Sequence, residues 1–166
     1  MRIAVVKMSA DLSPCGSYRY LLTREWDAER HKLVFVMLNP SAADARSDDP
    51  TTRRCIGFAR REGCGGVIVA NLFAWRSASP RALAVATDPE GPRNSETLRR
   101  VAATAQRPIV CAWGAYAGAN GVPTESILRN AGAVLVCLGR TRRGAPRHPL
   151  YVRGDTALEP YAQVDP

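Results

Sequence analysis

The sequence predicts an α/β fold: a three-layer sandwich on a mostly parallel, four-stranded central sheet, with an antiparallel hairpin on its N-terminal side. Two observations predict it. Short apolar runs alternate with helical patterns, as they do in βαβ units joined by right-handed crossovers. The runs themselves lack period-two alternation, as expected of parallel strands covered on both faces. At 166 residues, 46% hydrophobic and 23% charged, the chain is expected to form one domain over residues 1–166. It carries enough apolar material for a core, which sets aside a disordered tail or a fibre.

Taken in order, Tyr18 to Trp26 (YRYLLTREW) is rich in β-favouring residues. The polar stretch Asp27 to Lys32 separates it from the apolar run Leu33 to Leu38 (LVFVML). Two such runs around a short polar loop predict a β-hairpin whose second strand is central in the sheet. Asp49 before Pro50 is a helix-start pair, and Cys55, Phe58 and Ala59 share a helical face until Gly63 ends it. Val67 to Ala70 is a second buried strand, and Ser79-Pro80 opens a short helix. From Asn94 onward, Leu98, Val101, Ala102 and Ala105 recur at amphipathic spacing, with Arg99 and Arg100 on the wet side. Ile109 to Ala112, Pro123 to Asn130 and Ala133 to Leu138 read as strand, helix and strand, and the tail after Gly154 is short and polar.

No apolar run approaches the roughly 20 residues of a membrane span, and the first residues lack the pattern of a secretory signal, so a cytoplasmic location and no membrane partner are expected. Five cysteines, at 15, 55, 64, 111 and 137, contain no C-x-x-C pair. They point to buried apolar roles rather than to disulfides or a metal site. The net charge of +8 is carried almost wholly by arginine, since Lys7 and Lys32 are the lysines. Guanidinium groups pair with phosphate and stack on bases, which fits a nucleic acid or nucleotide partner; an arginine-favouring codon bias gives the same ratio.

In open α/β sheets ligands bind beyond the carboxyl ends of the strands. The segments placed there are Asn39-Pro40-Ser41, Asn71 to Arg76, Trp113-Gly114-Ala115 and Gly144 to Leu150. Asn39, Asn71 and His148 are then expected to converge on one cleft. Taken singly, each asparagine reads better as a turn residue and the histidine as a satisfied one between two prolines; their joint placement at strand ends is what favours a site.

The order N-P-S after a buried strand, an asparagine ending the next, a strand leading to W-G-A and a late H-P resembles the uracil-DNA glycosylase superfamily. More closely, MLNPSAADA, DDPTTRRC and PRHPLY resemble an uncharacterised bacterial family known as a domain of unknown function, which implies no activity. The superfamily resemblance implies a uracil-DNA glycosylase-like sandwich and a DNA-repair hydrolase that needs no cofactor and breaks an N-glycosidic bond of a damaged or modified base. It implies Asn39 to position the attacking water, His148 to stabilise the departing base and Asn71 to read the base edge. Ser41, Gly114 and Arg147 would line the pocket, and Phe58, Phe73 or Trp75 would stack on the base. Leu150 would act as the wedge in DNA, with Arg53, Arg54, Arg142 and Arg143 meeting phosphates. Leu38 and Ser41 stand where the superfamily motif has glycines, which implies a differently shaped entrance. Two other readings stay open: a module that binds nucleic acid or a modified nucleotide without cleaving it, and a metal-dependent phosphohydrolase using Asp44, Asp48 and Asp49. No obligate protein partner is indicated.

Overall fold

The structure, a computed structural model, describes residues 6–161. Seven strands among them form one mixed sheet: β1 (Lys7–Leu12), β2 (Arg19–Glu25), β3 (Lys32–Met37), β4 (Gly66–Asn71), β5 (Ile109–Cys111), β6 (Leu135–Cys137) and β7 (Glu159–Pro160). The spatial order is β1-β2-β4-β3-β5-β6-β7. The four inner strands β4, β3, β5 and β6 run parallel, while β1, β2 and β7 are antiparallel to their neighbours. The apolar runs of the sequence thus become the parallel centre, and two strands not expected, β1 and β7, join these four and β2. The tail after Gly154 therefore returns to the sheet, and Tyr161 packs its ring edge-on to Trp113.

Helix α1 (Pro50–Arg61) covers one face, packing Cys55, Phe58 and Ala59 against Phe35, Met37, Val67 and Val69. Helices α2 (Asn94–Thr104) and α3 (Gly121–Asn130) cover the other, where Leu98, Val101, Ala102 and Leu128 meet Val34, Val36, Ile109 and Cys111. Asp49 caps α1, accepting from the Thr52 backbone N–H at 2.7 Å, with Pro50 in its first turn. Cys55, Cys64, Cys111 and Cys137 are buried; Cys15 is exposed.

The expected hairpin between Tyr18–Trp26 and Leu33–Leu38 does not form. β2 pairs instead with β1 and β4 (Leu22 opposite Val69), so β4 lies between β2 and β3. The loop after β2 crosses the start of β4, where the backbone N–H groups of Trp26 and Asp27 donate to the Gly65 carbonyl and the Gly65 N–H donates to His31. This crossing needs a glycine, because a Cβ at Gly65 would lie 2.0 Å from the Asp27 carbonyl oxygen. Among the described residues no helix is long and apolar enough to cross a membrane.

Candidate functional site

The carboxyl ends of the parallel strands open onto a cavity of about 790 Å³, within the size range of small-molecule sites. Asn39 and Ser41 reach it from the loop after β3, Gly114 from the loop after β5, and Arg142, Arg147, His148 and Leu150 from the long segment after β6. Seven of the expected site residues therefore share one space, including the two assigned to chemistry, 109 positions apart in the chain. Gly114, at φ +76°, is held to glycine by its backbone.

His148 stands before a short 3-10 turn, Pro149–Tyr151, and its Nδ1 accepts from the Leu150 backbone N–H at 3.2 Å. A ring nitrogen that accepts carries no proton, so the neutral imidazole holds its proton on Nε2 as a donor. Burial pushes the pKa below the ordinary histidine value, against the opposing pull of Asp49. The ring is therefore neutral at pH 7.

Asn39 donates through Nδ2 to the carbonyls of Ser77 at 3.0 Å and Pro40 at 3.2 Å. Its Oδ1 is the atom left to accept from a water or a ligand. Ser41 donates from Oγ to Asp49 Oδ2 at 2.8 Å. Burial raises the Asp49 pKa, and the hydrogen bonds from Thr52 and Ser41 outweigh it, so the carboxyl stays below its usual range. The cavity thus holds an amide oxygen, an ionised carboxylate and a neutral imidazole donor.

Other expected residues lie elsewhere. Asn71 ends β4 and is buried outside the cavity lining, with neither Nδ2 nor Oδ1 partnered. Its backbone carbonyl and that of Leu72 accept from Asn94 Nδ2, which ties β4 to the start of α2. Phe73 packs against the core on the α2 side, and Trp75 makes an edge contact with Tyr18; neither lines the cavity. Arg143 lines a neighbouring cavity of about 690 Å³ that shares Trp113, Ala115, Thr141 and Arg142 with the first. Arg53 bonds the Asp48 carbonyl at the head of α1. Arg54 donates to the carbonyls of Pro149 and Val152 and so fastens the His148 segment onto α1.

The three aspartates do not form a metal site. Asp44 accepts from the Arg46 and Ser47 backbone, Asp48 pairs with Arg24 at 2.7 Å, and Asp49 caps α1. Among the described residues no three His, Cys, Asp or Glu side chains gather in a way that could hold a metal ion.

Several lining residues escaped the sequence reading: Arg19, Trp113 and the exposed rings of Tyr116 and Tyr151. The W-G-A string did place Trp113 at a strand end. Arg19 carries no such signal, because an irregularity in the β1–β2 pairing, where Leu12 faces Arg19 but Asp11 faces Leu21, breaks the alternation that assigns its face. Asp49 was legible as a cap but not as part of a cavity wall.

No curated protein and no solved structure matches the chain. A family model does match, over residues 19–150, which contain every one of the cavity residues except Tyr151. By that match over most of its length, the chain belongs to the family of proteins of unknown function DUF1643.

Proposed function

We propose that the protein is a hydrolase that binds a nucleobase or nucleotide in the cavity between Asn39 and His148 and breaks the N-glycosidic bond. The observation that carries the reading is the meeting of these two side chains at the strand ends, with the imidazole neutral and its proton on Nε2. Breaking the bond sends its electron pair onto the departing base, and the sugar gains oxocarbenium character. A fixed donor at the base oxygen stabilises that charge; such a group contributes about 3 to 4 kcal/mol. The Asn39 oxygen accepts from the attacking water, whose released proton ends on the base or in solvent. An amide orients water without removing its proton. The motif order shared with the uracil-DNA glycosylase superfamily and the parallel centre of the sheet support the reading. Asn71, buried outside the lining with an unpartnered amide, pairs in the sheet with Met37, which does line the cavity.

The test is a mass-spectrometric screen for free base released from damaged and modified nucleotides and oligonucleotides, with His148→Ala and Asn39→Ala beside the native chain. Each variant is expected to lose at least about 100-fold in rate. Asn39→Ala also loses the bond to Ser77, roughly 1 kcal/mol, or about 2 to 4 °C in Tm. Tight binding without release by the native chain supports the non-cleaving module instead. A large loss of stability with unchanged release makes both residues structural and ends the proposal.

A further inference from the structure

Two arginines of β2 are buried, and they differ in how they are satisfied. Arg24, 0% exposed, donates from Nε to Asp48 Oδ1 at 2.7 Å. Its Nη1 donates to the Ser9 and Thr23 carbonyls and its Nη2 to those of Asp44 and Ser47. It is saturated, as a structural buried cation must be. Arg19, 3% exposed, donates from Nη1 to the Ala43 carbonyl at 2.7 Å, and its buried Nε has no partner. Burial lowers its pKa to about 10, which leaves it cationic at neutral pH. Asp49, whose field reaches it, is turned toward Ser41 and Thr52. A buried guanidinium so poorly matched costs stability, because its unmet donor has given up water without gaining a partner. It lines the cavity that holds Asn39 and His148.

We infer that the Arg19 edge carrying Nε binds a terminal oxyanion, a phosphate monoester or a carboxylate, of a small ligand held in this cavity. With Nη1 held by Ala43, the edge formed by Nε and Nη2 is the one that matches two oxygens of such a group side by side. The charged lining residues are Arg19, Arg142 and Arg147 against Asp49 alone, an excess that suits an anion. The group is terminal because the guanidinium is shut away from the surface. An internal phosphodiester, flanked by sugars on both sides, does not reach it. Where this rests on the function proposed above, the ligand is a free nucleotide and not a base within a polymer; the anion site itself stands on binding alone.

Calorimetry on the native chain decides it, using nucleoside 5′-monophosphates, the matching nucleosides, inorganic phosphate, acetate and a short oligonucleotide without terminal phosphates. Monophosphates are expected to bind at least about tenfold more tightly than nucleosides, and inorganic phosphate is expected to compete. Competition by acetate but not by phosphate assigns the site to a carboxylate. In Arg19→Met the preference is expected to vanish while Tm holds or rises, whereas Arg24→Met, which strands Asp48, lowers it. Arg19→Lys keeps charge without the two-point edge and falls between. Equal affinity for monophosphate and nucleoside, no binding of any anion, or a drop in Tm in Arg19→Met with the preference intact overturns the inference. Should monophosphates be preferred but no base be released, the glycosidic reading fails and the anion site remains.

Discussion

The position of one proton on His148 is set by the backbone, since the Leu150 N–H claims Nδ1 and leaves Nε2 to donate. Because burial depresses the pKa of this group in the folded chain, the unfolded chain takes up a proton first as the pH falls below about 6.5. Stability is therefore full above that value, declines as the pH drops toward the folded pKa, and levels off below it. Denaturant midpoints measured from pH 8 to pH 5 are expected to fall in the native chain and to flatten in His148→Gln; parallel curves would refute the assignment. Base release is expected to stay level above about 6.5 and to decline only in more acid solution, as the ring gains its second proton. The placement of Asn39 and His148 at one cavity was legible because Asn39 directly follows an apolar strand and His148 lies on the segment that leaves the last parallel one. Arg19 was not, since a bulge decides its direction and no local pattern records a bulge. Asn71 was placed correctly at a strand end, but its position outside the cavity lining is a matter of tertiary packing that no local pattern records.

Strand and helix identity follows from local periodicity, and those elements were legible to within a few residues. Strand pairing is a long-range choice. β2 and β3 are neighbours in sequence yet are parted by β4, an order that takes the connecting loop across the chain in close contact at Gly65. Gly65→Ala is expected to cost about 3 kcal/mol, because the added methyl would overlap the Asp27 carbonyl, 2.0 Å away, and the Arg30 side chain. Urea denaturation measures it. By contrast, Gly57→Ala, on a helix with nothing within 4 Å of its new Cβ, is expected to be neutral or slightly stabilising. A Gly65→Ala chain as stable as the native one would show that the crossing can relax. β1 and β7 were missed because edge strands are half solvated and carry weak apolar signals.

Of the arginines behind the +8 charge, the three that line the cavity divide into Arg142 and Arg147, exposed at its mouth, and the buried Arg19. Exposed charges are screened by salt over a Debye length of about 8 Å at physiological ionic strength, and buried ones much less. Any oligonucleotide held by the mouth is thus expected to weaken steeply with salt, its slope falling by about one for each of Arg142→Gln and Arg147→Gln. A nucleotide seated on Arg19 is expected to lose far less between low and physiological salt. Equal salt slopes for the two ligands would mean that both are held at the surface.

Helix α1 enters the site at several points. Asp49 at its head forms part of the cavity wall, Arg54 grips Pro149 and Val152, and Arg61 donates to the carbonyls of Gly154 and Thr156. One rigid rod therefore carries the carboxylate and braces the chain that bears the imidazole. Fraying of that rod loosens the Asp49 wall and the His148 segment together while the sheet still stands. Loss of ligand capacity on mild heating should accordingly run ahead of loss of β-structure.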